Sequence, residues 1–143
     1  MPFIQHSQPE PEERDPEMST HAATTTAPEA KHPKLVLIES PLSGSVRRNM
    51  AYAKAAMLDS LQRGEAPFVM HLHYPLVLDD DNPAERAKGI EAGLSWGRKA
   101  ELTAAYVDFG TSDGMRIGIA RAKEEGRPVE LRTIDFVWPP KDK

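Results

Sequence analysis

Four short apolar runs alternate with three stretches of helical spacing, and that alternation restricts the possible folds more than any other feature. LVLIES (35–40) ends at Pro41 and a Ser/Gly loop, and PFVMHLHY (67–74) enters at Pro67 and stops before Pro75. ELTAAYVD (101–108) and RPVELRTI (127–134) complete the set. Apolar runs of this length, bounded by turn residues, read as strands. Strand, helix, strand, helix, strand, helix, strand implies a parallel sheet with helices on its faces. The runs are apolar rather than strictly alternating, as expected when both faces are covered. The expected fold class is therefore α/β, with a mainly parallel sheet of four to five strands.

The helical stretches carry start and stop signals. In the first, Val46, Met50, Ala53, Met57 and Leu61 fall near helical spacing, Ser45 is the candidate N-cap and Gly64 the C′ residue. In the second, Asn82 stands at the N-cap, Pro83 at N1 and Glu85 at N3, beside the acidic run Asp79–Asp81. Ile90, Leu94 and Trp96 supply its apolar surface. The third begins at Ser112 or Asp113 and ends at Gly126. Gly118 lies inside it, where glycine costs about 1 kcal/mol relative to alanine.

The chain has 143 residues, enough for one domain. Residues 1–33 hold prolines at 2, 9, 11, 16, 28 and 33 and almost no large apolar side chains. Such a segment cannot bury enough surface to offset its ordering entropy and reads as a disordered tail. The domain is expected over 34–135, followed by a tail (136–143) in which Phe136 and Trp138 have apolar surface to pack. Without cysteine there are no disulfides or thiolate sites, which fits a cytoplasmic protein. No secretory leader or membrane span is visible. A net charge of -4 argues against an extended nucleic-acid surface.

Ligands of open parallel sheets bind beyond the C-terminal strand ends. Three loops qualify: ESPLSGS, HYPLVLDDDN and DFGTSDG, each running into a helix N-terminus that favours anions. Gly, Ser and Asp also make ordinary strand-to-helix turns. Ser40, Ser43, Gly44 and Ser45 with Arg47 and Arg48 could cradle a phosphate, although GxxxxGK[ST] and GxGxxG are absent. Arg47 and Arg48 read equally well as solvated helix residues. His71 and His73 form an HxH on an expected strand, with both rings on one side. A metal would need a third ligand that nothing fixes, so the rings are expected in a pocket or the interior, and no metal or cofactor is expected. Asp79 and Asp80 suit sugar hydroxyls, or simple solvation. Asp108 is the best-placed strand-end carboxylate, or else a turn former.

As a set, LIESPLSG, the helix with Asn49 and Tyr52, HLHYPLVLDDDNPAERAKGIEAGL and AAYVDFGTSDGMRIGIARA resemble the nucleoside 2-deoxyribosyltransferase-like superfamily. The chain looks most like a phage-associated group sharing the HL-Y, LDDD-P and S-GM blocks. The resemblance covers roughly residues 35–134. It implies a Rossmann-like three-layer sandwich and a homo-oligomer whose subunits share sites. It also implies a nucleoside or nucleotide ligand, held by residues among Ser40, Pro41, Ser43, Arg47, Asn49 and Tyr52. His73, Asp79, Asp80, Ser112, Gly114 and Met115 would complete that set. If phage-encoded, the protein would work in the bacterial host cytoplasm.

Enzymes of the superfamily cleave the N-glycosidic bond with an attacking glutamate, assisted by a loop aspartate. Ser112, Gly114, Met115 and Ile119 match the pattern around that glutamate, but its position falls on Gly118. Asp108 matches the loop aspartate, and Asp113 lies one helical turn nearer the helix start. Either carboxylate is a candidate catalytic group for deoxyribosyl transfer or nucleotide N-glycosidase chemistry. The alternatives are a non-catalytic protein that sequesters a nucleotide-derived molecule, and a structural homo-oligomer.

Overall fold

A computed structural model of the chain describes residues 32–141. The tail expected at 1–33 lies outside these residues except for His32 and Pro33, as do the last two residues of the chain. The elements follow as β1 (Leu35–Glu39), α1 (Val46–Gln62), β2 (Ala66–Phe68), α2 (Pro83–Gly97), β3 (Leu102–Tyr106), α3 (Asp113–Glu124) and β4 (Val129–Arg132). The sheet has the order β2-β1-β3-β4 with every pair parallel. Val36 stands opposite Leu102 and Ile38 opposite Ala104, which fixes the central register.

Side-chain alternation divides the sheet into two buried faces, hence three layers. Val36, Ile38, Ala104 and Tyr106 pack with Tyr52, Ala53 and Ala56 of α1 on one face. Leu37 packs with Leu94 of α2 and with Met70 on the other. Helix α2 comes down closely because it presents glycine: a Cβ on Gly93 would lie 2.6 Å from Met70 Sδ, and one on Gly97 2.6 Å from Leu37 Cδ2. The helix starts follow the sequence. Asn82 accepts hydrogen bonds from the backbone N–H of Ala84 and Glu85, and Ser112 from that of Met115. Ser45 holds the N-cap position of α1 without a side-chain cap bond.

One element differs from expectation. The strand anticipated over 67–74 ends at Phe68, and two 3-10 turns follow at Met70–Leu72 and Tyr74–Leu76. Pairing with β1 stops where Phe68 stands opposite Leu37; beyond it the Leu72 N–H donates to the Val69 carbonyl and His71 Nε2 meets the Ser40 carbonyl, so turn bonds replace the ladder. His71 and His73 therefore do not sit side by side on a strand. His71 turns inward, while His73 is exposed and rests edge-on against Phe68 and Tyr74. Beyond β4, Phe136 packs against Tyr52 and Phe109.

Candidate functional site

The loops after β1 and β2 enclose a cleft of about 450 Å³ at the C-terminal rim of the sheet. Pro41, Ser43, Gly44 and Asn49 line it from the β1 side. His71, Pro75, Leu78 and the Asp79–Asp81 run line it from the β2 side, with Arg86 from the first turns of α2. A smaller cavity of about 30 Å³ adjoins it, sharing Ser43, His71 and Arg86. Its other walls include Glu39, Ser40, Met70, Ser112, Gly114 and Gly118. The loops after β1 and β2 and the end of the loop after β3 thus meet at one rim, as the strand order allows, and the smaller space has room for about one water molecule.

Hydrogen bonds within the loops hold this shape. Asn49 is buried, and its Nδ2 donates to the carbonyls of Leu42 (3.2 Å) and Ser43 (2.9 Å). His71 Nε2 lies 2.8 Å from the Ser40 carbonyl, tying the turn after β2 to the end of β1. A carbonyl only accepts, so that nitrogen carries the proton. Burial pushes the imidazole below its ordinary value, which favours the neutral ring with Nδ1 as acceptor. Among the described residues, no group of three or more His, Asp or Glu side chains is placed to hold a metal ion.

The residues singled out in the sequence separate into three sets. Pro41, Ser43, Asn49, Asp79 and Asp80 line the cleft, and Ser40, Ser112 and Gly114 line the smaller cavity. Met115 is buried beneath the start of α3. Arg47 and His73 are exposed and line neither space. Asp113 is exposed as well and pairs with Arg116. Tyr52 is buried with its hydroxyl 2.6 Å from Asp108 Oδ1.

Asp108 is occupied by the fold. Its carboxylate accepts the Tyr52 hydroxyl and the backbone N–H groups of Ile134 and Phe136. Partial burial pulls its pKa upward, but these bonds outweigh that and hold the carboxyl below the usual range. It fastens the segment after β4 to α1 and lines neither space.

A buried carboxyl lines the smaller cavity: Glu39, the last residue of β1. It is 2% exposed, its Oε1 has no hydrogen-bond partner, and it forms part of the small cavity wall. Burial pushes its pKa up to about 8, with the Arg127 charge opposing in part. Ser40 Oγ beside it and Arg86 Nε are also buried and unpartnered. Sequence reading missed Glu39 because it ends an apolar run, and Arg86 because it sits in an ordinary polar helix turn. The glycine opposite was the available signal. A Cβ on Gly118 would lie 2.0 Å from Glu39 Oε1 and 2.4 Å from its Cδ, so the glycine makes the space that the carboxyl occupies.

The model of the family described as a domain of unknown function, DUF7768, matches residues 34–132. No curated protein matches the chain. Among solved structures, a 2-deoxyribosyltransferase from the psychrotolerant bacterium Bacillus psychrosaccharolyticus is similar at 15% identity with a TM-score of 0.56, over 72% of this chain and 75% of that one. The CMP N-glycosidase BcmB of Clostridium botulinum aligns at 14% identity with a TM-score of 0.44, over 73% and 76%. The first likeness shows a shared α/β fold, a parallel sheet flanked by helices.

Proposed function

The chain belongs to the DUF7768 family, and from that premise we propose that it binds a nucleoside or nucleotide in the cleft between the loops after β1 and β2. One observation carries this reading: a cleft of about 450 Å³ with apolar walls and a polar end stands at the ligand rim of the sheet. Pro41, Met50, Pro75 and Leu78 offer surface for a base, while Asp79 and Asp80 offer acceptors for sugar hydroxyls. Arg86, with an unpartnered buried Nε, offers a donor for a phosphate or a base edge. The fold shared with a 2-deoxyribosyltransferase supports the same ligand class. Arg86 suits phosphate better than Arg47, because it lines the cleft and Arg47 does not.

Thermal unfolding in the presence of nucleosides and nucleoside monophosphates tests the proposal. A ligand at 100 times its Kd adds about 2.7 kcal/mol of stability. Arg86→Ala is expected to weaken monophosphates about tenfold or more and nucleosides much less. An unchanged melting temperature with every ligand of both classes sinks the reading.

A further inference from the structure

We propose that the smaller cavity is a hydration site, in which one internal water molecule bridges Glu39, Ser40 and Arg86 as a fixed part of the fold. The inference stands apart from the binding reading above and does not depend on what the cleft takes up.

Among the described residues, four side-chain atoms are buried without a hydrogen-bond partner: Glu39 Oε1, Ser40 Oγ, Arg86 Nε and Arg127 Nη2. The first three belong to residues that line this one cavity, and Arg127 does not line it. A buried polar atom left unpaired costs stability, so three in one wall call for a shared partner. The cavity measures about 30 Å³, above the roughly 10–15 Å³ that a water molecule needs. Buried waters make about three hydrogen bonds each, which matches the partners this wall offers. Two other polar residues of the wall already have tasks: His71 Nε2 meets the Ser40 carbonyl, and Ser112 Oγ accepts from the Met115 N–H. Met70, Ile90, Leu94 and Ile117 make much of the remaining surface, which confines the polar contacts to one side.

The donor and acceptor types fit a water. Arg86 Nε–H can only donate, so the water oxygen accepts from it. A carboxyl oxygen and a hydroxyl oxygen both accept, so the two O–H groups of the water have Glu39 Oε1 and Ser40 Oγ to reach. Burial raises the Glu39 pKa to about 8, so at neutrality the acid keeps its proton and asks no more of its surroundings than a neutral partner. The glycine at 118 belongs to the same arrangement, because any Cβ there would force the carboxyl out of its present place. The water joins the end of β1 to α2, which carries Arg86. It engages one guanidinium donor and leaves the others to the cleft, which the same arginine lines.

A high-resolution crystal structure of the native protein at neutral pH tests this directly. The expected result is a single ordered density peak in the cavity, about 2.7–3.2 Å from Glu39 Oε1, Ser40 Oγ and Arg86 Nε. No peak there overturns the proposal, as does a peak that meets fewer than two of the three atoms. A direct bond from Arg86 Nε to the Glu39 carboxyl that closes the space overturns it too. Deuteron magnetic relaxation dispersion counts long-lived internal waters in solution and supplies the second measurement. Glu39→Leu combined with Ser40→Ala leaves one polar atom in an otherwise apolar wall, and apolar cavities stay dry. The double variant is expected to show one long-lived water fewer than native protein, whereas Lys88→Ala, on the exposed side of α2, is expected to show the native number. A native number in the folded double variant overturns the assignment.

Discussion

Gly118 matters for its missing methyl group more than for its backbone freedom. Alanine in a helix interior is ordinarily about 1 kcal/mol better than glycine. Here its Cβ would fall 2.0 Å from Glu39 Oε1, a contact that must be relieved by moving a buried side chain. Glu39 also sets a pH dependence. Its folded pKa is raised from 4.5 to about 8, so between these values the folded chain keeps a proton that the unfolded chain gives up. The contribution of Glu39 is therefore greatest below the unfolded value and falls as pH rises towards 8, by up to about 1.4 kcal/mol per unit, while His71, which burial holds below its ordinary 6.5, gives the opposite slope up to that pH. Asp59, Glu65 and Asp108 are held below the usual carboxylate range, so their contributions are lost only at more acid pH and do not offset this slope. Urea denaturation of native protein and Glu39→Gln at about pH 7, 7.5 and 8, above the range in which His71 titrates in the unfolded chain, checks it. The variant is expected to flatten the slope and to be the more stable protein at pH 8. A slope that survives in the variant means that another group carries it.

At the scale of elements, most of the architecture was legible. Asn82, Pro83 and Ser112 announce the starts of α2 and α3, because capping depends on neighbours a few residues away and is written locally. The end of β2 was not legible, because it depends on where pairing with β1 stops and on the Ser40 carbonyl that His71 meets across the molecule. The candidate site was half visible for the same reason. Loop residues such as Ser43 and Asp79 advertise themselves by composition, whereas Glu39 becomes meaningful only when α3 lies against it. Asp108 looked like a ligand group by its strand-end position, but its oxygens serve Tyr52, Ile134 and Phe136, partners that no local pattern names. The close seating of α2 gives a further expectation. Gly93→Val forces branched carbon against Met70 and should cost about 1–3 kcal/mol, read from the denaturation midpoint. Lys88→Val, on the exposed side of the same helix, should cost well under 1 kcal/mol.

Across the whole molecule, a buried polar network joins segments far apart in sequence. Arg132 at the end of β4 makes a two-pronged pair with Glu65, both contacts 2.7 Å, and also donates to the Tyr106 hydroxyl. Ser60 donates to the same Glu65, and Tyr106 to Asp59 of α1. With side chains 3% and 13% exposed, this pair is shielded in a way that the Arg116–Asp113 pair on the surface is not. Glu65→Ala removes two bonds from a buried guanidinium that keeps only Glu130 as its carboxylate partner, and should destabilise the domain by about 1–3 kcal/mol, whereas Asp113→Ala should cost well under about 1 kcal/mol. Equal effects of the two would show that burial confers no advantage on the inner pair. Positions 39 and 118 share one volume. A designer who wants a side chain on the helix must therefore first shorten the one on the strand, and the two sites can be rebuilt only as a pair.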